Sequence, residues 1–207
     1  MPRHKKQTLL AILIILVIAA VACSGDPDPE SAVETVSNTG NYETCVGFLD
    51  AQSVEEQTNV EGLTDRVRVI DVASIPGLVE SGAINNCLVE VYRTLGGDDA
   101  PKPGESVSLS LVRFEDSDLA KRLYNSTLAS AILTAEQLDD LVEIQQGVIS
   151  RDSYFMDVKV GGIGALVVFV FDTTFVSMSS TADDESNALF DRESLVNAAQ
   201  SVQSRLP

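Results

Sequence analysis

Residues 164–172 read Gly-Ala-Leu-Val-Val-Phe-Val-Phe-Asp, with an unbroken run of large apolar side chains from Leu166 to Phe171. The run is short, β-branched and aromatic, and bounded by glycine and by turn residues, so it reads as a strand buried on both faces rather than as a helix. Before it, Tyr154, Met156, Val158 and Val160 alternate with Phe155, Asp157 and Lys159, and Gly161–Gly162 breaks the chain. After it, Thr173–Thr174 turns the chain and a strand returns from Phe175 to Ser179. Short connections between three such segments predict an antiparallel meander whose middle strand is central and covered, at least in part, on both faces. Asp191 then caps a final helix whose Leu195, Ala199, Val202 and Leu206 form one stripe.

The preceding part of the chain supplies more strands and helices. Residues 50–57 predict a short helix capped by Asp50, with Phe48 and Leu49 packing inward. Alternation predicts strands over 66–72, 87–92 and 106–114, with a turn at Pro76–Gly77 and a polar loop over 95–104. Asp116 or Ser117 caps a helix through Leu119, Ala120 and Leu123 toward Leu133, and Thr134-x-x-Gln137 has the form of a capping box opening a further helix with Leu138, Leu141 and Val142 on its buried face. The fold class is α+β: an antiparallel sheet with a C-terminal three-strand meander, packed against helices that include a C-terminal one. It occupies residues 42–207 as one domain, with no internal repeat.

The first 41 residues have a different character. Arg3, His4, Lys5 and Lys6 precede an apolar run over residues 9–22 that ends on Cys23. A helix over that run covers about 21 Å, short of a hydrocarbon core about 30 Å thick, so the segment reads as the apolar part of an export signal. Ala20-Val21-Ala22-Cys23 resembles the lipobox of bacterial lipoprotein signal peptides. That resemblance implies cleavage after Ala22, a signal peptide over residues 1–22, and a thioether-linked diacylglycerol on Cys23, whose two acyl chains hold a protein stably on a membrane. An uncleaved signal anchor and ordinary secretion are the alternatives. Residues 24–41, rich in Ser, Gly, Pro, Asp and Glu, form with Cys23 the lipidated, flexible acidic tether of residues 23–41.

Cleavage changes the chemistry available to the chain. Losing Arg3, Lys5 and Lys6 from 14 basic residues leaves 11 against 31 acidic ones, a charge of about −20, and His4 leaves as well. Histidine-based nucleophilic catalysis and histidine metal sites are thereby excluded, and so strongly acidic a surface disfavours nucleic acid as a partner. With Cys23 lipidated, Cys45 and Cys87 form the one internal pair, which in an oxidising compartment predicts a disulfide closing a loop of 42 residues.

The remaining candidates for chemistry are weak. Lys102, Lys121 and Lys159 lie in no Ser-x-x-Lys arrangement. Asp98–Asp99, Asp139–Asp140 and Asp183–Asp184–Glu185 read as solvated faces, and the last lacks the spacing of a calcium loop. Gly161-Gly162-Ile163-Gly164 leads into a strand and reads as a hairpin turn, not a phosphate cradle. Asn125-Ser126-Thr127 is a glycosylation sequon in form, without meaning in a prokaryote. The chain has no tryptophan for a sugar-stacking cleft, although Tyr42, Tyr92, Tyr124 and Tyr154 offer substitutes.

The order of lipobox cysteine, polar tether, Cys45-Val46-Gly47-Phe48-Leu49-Asp50-Ala51 entering a short helix, and Cys87 opening a strand resembles a family of actinobacterial lipoproteins of unknown function. More loosely it is similar to the extracellular sensor domains of some mycobacterial serine/threonine kinases. The resemblance implies an extracytoplasmic α+β domain and brings no catalytic residue. The functional expectation is a membrane-anchored lipoprotein on the extracytoplasmic face, with a non-catalytic domain that binds an envelope protein or a small ligand and carries no metal or cofactor. The alternative is a carboxylate-based hydrolase of envelope or extracellular substrates. An enclosed apolar pocket of about 300 Å³ or more points to a small ligand, carboxylates facing each other across a cleft point to hydrolysis, and neither points to an interaction surface.

Overall fold

The computed structural model describes residues 39–93, 106–159, 163–182 and 188–207. Cys23 and the signal and tether over 1–38 lie outside them, as do the loop over 95–104 with Asp98, Asp99 and Lys102, Gly161–Gly162, and Asp183–Asp184–Glu185.

Seven strands form one antiparallel sheet: β1 Leu63–Ile70, β2 Ala83–Arg93, β3 Ser106–Phe114, β4 Val142–Gln146, β5 Ser153–Val158, β6 Ile163–Phe171 and β7 Thr174–Ala182. Their spatial order is β1-β2-β3-β7-β6-β5-β4. Each half of the sheet is therefore a meander, and the halves meet where β3 pairs with β7. Among the described residues, four α-helices accompany them: α1 Ala51–Thr58, α2 Pro76–Glu80, α3 Ser117–Leu138 and α4 Arg192–Arg205. The antiparallel sheet packed with helices, the last of them C-terminal, is the α+β fold that the alternation predicts.

Period-two alternation sorts the side chains onto two faces. On one face, Val89, Leu109, Met178, Val167 and Phe155 occupy adjacent register positions, and α1 and α4 cover them. Leu195, Ala199, Val202 and Leu206 of the predicted stripe are all buried there. Cys45 and Cys87 form a disulfide at one end of this face, with Cα atoms 5.4 Å apart. Beside it the Tyr42 hydroxyl meets the Thr174 hydroxyl at 2.6 Å, and the Tyr42 carbonyl accepts from Asn85 Nδ2 at 2.9 Å. The chain enters the fold against the C-terminal end of α4, where Gly40 N–H donates to the Arg205 carbonyl at 2.8 Å. Glycine is needed there because a Cβ on residue 40 would stand 2.2 Å from the Phe48 ring.

On the other face, α3 packs across β3, β7, β6 and β4. Beneath it lie Val112, Phe175, Val168, Val170 and Tyr154. The middle strand of the C-terminal meander, β6, is thus buried on both faces, with Val167 and Phe169 toward α4 and Val168 and Val170 toward α3.

Two local expectations are corrected. The helix through Leu123 does not stop near Leu133 to let Thr134 cap another. It runs unbroken from Ser117 to Leu138, and the Thr134 hydroxyl donates back to the Ser130 carbonyl at 2.9 Å. The segment from Leu128 to Leu138 has no glycine or proline and is rich in good helix formers, so continuing the helix costs less than nucleating a second one. Asp139, at φ 48°, ends it instead. Leu141 is then exposed and Val142 starts β4, so Leu138, Leu141 and Val142 share no helix face. At Pro76–Gly77 the chain does not simply turn: Pro76 takes the first position of α2, where its missing N–H and fixed φ cost nothing.

Candidate functional site

A recess of about 610 Å³ lies between the β4–β5 turn and the N-terminal end of α4. Gly147, at φ +73°, ends β4 and donates its N–H to the Ser153 carbonyl at 2.8 Å. The Ser153 hydroxyl, fully buried, accepts from Ile149 and Ser150 N–H at 2.9 and 3.0 Å and donates to the Ser150 carbonyl at 2.6 Å. One serine thus organises the turn that presents Val148 to the recess. Across from it, Asp191 caps α4 by accepting from Ser194 N–H at 2.8 Å. These hydrogen bonds from Ser194 hold the Asp191 carboxyl below its ordinary value. Arg192 lies over the Phe155 ring, 4.9 Å from its centroid, which fixes a cation at the rim.

Val148 and Val196 supply apolar wall, and Gln145, Asn197 and Arg192 supply polar groups. The recess is open to solvent rather than enclosed. Its carboxylates, Asp191 and Glu193, stand in one turn of one helix, and the opposite wall offers the Gln145 amide. Hydrolysis by paired acids needs two carboxyl groups about 5–10 Å apart on opposite sides of a scissile bond. The wall geometry does not supply that, and Asp191 is already committed to its cap.

The other sequence candidates are dispersed. Asp139 and Asp140 are exposed in the turn after α3, and Lys121 and Asn125 are exposed on α3 itself. Lys159 approaches Asp157 at 3.9 Å. Tyr42, Tyr92, Tyr124 and Tyr154 are all buried, so they form no platform on which a sugar could stack. Burial pushes the Tyr154 phenol up to about 12, with the neighbouring Tyr124 ring 5.9 Å away, and it stays protonated. Among the described residues, no three His, Cys, Asp or Glu side chains come together to hold a metal ion.

One cluster escapes sequence reasoning. Glu90 of β2, nearly buried, accepts from Arg66 Nε at 3.1 Å and Arg66 Nη2 at 2.8 Å, and Arg68 Nη2 approaches the same Oε2 at 3.4 Å. Arg66 also lies over the Tyr92 ring at 5.7 Å. The alternation of Arg66 and Arg68 with Val67 and Val69 is visible in the sequence. What places Arg66 opposite Glu90, and Arg68 opposite the neighbouring Leu88 within diagonal reach of it, is the β1–β2 register, which the sequence does not display.

The fold and its sites define an antiparallel α+β domain with one disulfide. No protein-family model matches the chain, and no curated protein matches it in sequence. Among solved structures it is similar to the extracellular domain of PknH from Mycobacterium tuberculosis, with 10% identity and a TM-score of 0.48, over 76% of this chain and 91% of that one.

Proposed function

We propose that this chain is a lipid-anchored protein of the extracytoplasmic membrane face whose folded domain binds a partner and catalyses no reaction. Residues 1–22 are its signal peptide, Cys23 its lipidated residue, residues 23–41 its tether and residues 42–207 its binding domain. The single observation that carries the non-catalytic reading is the open recess with both carboxylates on one helical turn: a mixed surface of Val148, Val196, Gln145 and Arg192 suits a partner's surface better than a scissile bond. The lipobox-like segment and the Cys45–Cys87 bridge support export. The partner is an envelope protein or a small amphipathic ligand.

Two measurements test the reading. Mass spectrometry of the mature N-terminal peptide is expected to show diacylglycerol on Cys23, and Cys23→Ser is expected to leave the membrane fraction; unchanged processing and retention in that variant overturn the anchor. Cross-linking in intact cells from a photoreactive group in place of Val148, compared with one in place of exposed Lys121, is expected to give a partner at the first position alone. Equal capture at both positions, or none, overturns the recess as the binding surface.

A further inference from the structure

β1 is an edge strand of eight residues, and among the described residues no strand pairs with its open side. Leu63 N–H is taken by the Glu55 carboxylate at 2.8 Å rather than by β2. In an antiparallel ladder, bonded and non-bonded residues alternate, so the N–H and C=O groups of Asp65, Val67 and Val69 also point away from β2. Phe114 N–H bonds to the Thr173 carbonyl, and carrying the same alternation across β3 and β2 gives the same assignment.

Edge strands are ordinarily protected by charged side chains that obstruct a neighbour. Here the charges on β1 are turned onto the two faces. Asp65 accepts from Ala51 N–H at 3.3 Å at the start of α1, and Arg66 and Arg68 both reach across to Glu90. Two guanidinium groups share one carboxylate, leaving a local surplus of positive charge on a chain whose net charge is −17 before any processing. Val69, on the opposite face of the same strand, is 50% exposed.

In every register that overlaps five or more residues of β1, self-pairing opposes like charges. Two copies of β1 related by a two-fold axis normal to the sheet keep each face continuous. Centring the axis on Val67 sets Arg66 against Arg68, and centring it on Arg66 or on Arg68 sets each arginine against itself. Centring on Asp65 opposes two aspartates. Like charges directly opposite one another destabilise a strand pair.

We infer that β1 receives an extended segment of a partner protein in which acidic residues alternate with apolar ones, adding an eighth strand to the sheet. The segment's backbone bonds to the outward amides of Asp65, Val67 and Val69. Its acidic side chains meet Arg66 and Arg68, and its apolar side chains meet Val67 and Val69 on the other face. This gives the binding reading above a second surface and a partner chemistry.

The test uses the full-length chain in detergent and fluorescein-labelled peptides of alternating Glu and Val, alternating Lys and Val, and alternating Ser and Val, followed by anisotropy. The Glu–Val peptide is expected to bind best, and to weaken as salt rises. Val69→Pro removes one outward donor without touching the β1–β2 ladder, and is expected to weaken binding about tenfold with the melting midpoint retained. Arg68→Gln leaves Arg66 on Glu90 and is expected to bring the Glu–Val peptide down toward the Ser–Val one. Glu–Val binding no tighter than Lys–Val, unchanged affinity in either variant, or a dimer of the chain that Val69→Pro dissolves would each overturn the inference. None of these readouts depends on the lipid at Cys23 or on the recess, so failure of the edge and failure of the anchored-binder reading are read separately.

Discussion

At one register level of the sheet, Val89, Leu109 and Met178 point toward α1 and α4 and are fully buried, whereas one residue along the same strands Glu90, Ser108 and Ser179 point the other way. The first face is finished as a core: apolar at this level from β1 to β5, covered by two helices and stapled by Cys45–Cys87. The second is finished in two halves. α3 covers Val112, Phe175, Val168 and Tyr154, while Ser108, Ser110, Ser177 and Ser179 occupy adjacent positions on the two central strands and remain half-buried. A single helix is too narrow to roof seven strands, so where α3 does not reach, the sheet carries hydroxyls and an ion cluster instead of leucine and valine. Stability is therefore concentrated on one face, and surface chemistry on the other.

The largest expected effect comes from unstapling the packed face. Replacing Cys45 and Cys87 together by alanine frees a loop of 42 residues, and urea unfolding is expected to show a loss of about 4 kcal/mol. Next in size is a pair of neighbours on β3. Leu109→Ala is expected to lose about 3 kcal/mol by opening a cavity, whereas Ser108→Ala is expected to stay within about 0.5 kcal/mol. If the two cost the same, the faces are not finished differently. Gly40→Ala pushes a methyl group into the Phe48 ring and is expected to cost about 1–3 kcal/mol in the same assay.

The tyrosines sharpen the division between the two faces. Burial raises the phenols of Tyr42 and Tyr124 and takes Tyr154, beneath α3, up to about 12. A group whose folded pKa lies above its unfolded one contributes stability below the unfolded value, near 10, and loses it as pH rises through the folded value. Alkaline titration followed by phenolate absorbance is expected to show these three rings ionising late, with Tyr154 last and together with unfolding. Ionisation of Tyr154 near 10 in a folded protein would mean that α3 does not seal its half of the face.

Much of this division was legible in the alternation. The run from Leu166 to Phe171 announces a strand with two buried faces, and Val107, Leu109 and Leu111 against Ser106, Ser108 and Ser110 announce one with a single buried face. What could not be read depends on partners distant in sequence. The β4 edge strand was hidden because Thr134-x-x-Gln137 matches a helix start locally, while the decision to continue α3 rests on the whole segment and its packing on the sheet. Glu90 looks like any exposed strand position until the register sets Arg66 opposite it. The recess joins residues 145–148 to 191–197, ordinary types in both stretches, and no local signal links a turn to a helix start about fifty residues on.

The smallest effect tests how far the recess belongs to the packed face. Asp191 caps the helix that covers that face, yet its carboxylate opens on the recess, so it ties the two together. Asp191→Ala removes the acceptor for Ser194 N–H and is expected to cost about 1 kcal/mol, and Asp191→Asn, which keeps an acceptor, less. Hydrogen bonding from Ser194 lowers the Asp191 pKa from 3.8, so the folded state binds its proton less readily than the unfolded chain does. Its contribution is therefore full above the ordinary carboxylate value and is lost as pH falls through the lower folded one. The stability gap between the native chain and Asp191→Ala is accordingly expected to be constant near neutrality and to close on acidification below about pH 4. A gap that does not change with pH would assign the loss to packing at the start of α4 rather than to the capping carboxylate, and would separate the recess from the stability of the face behind it.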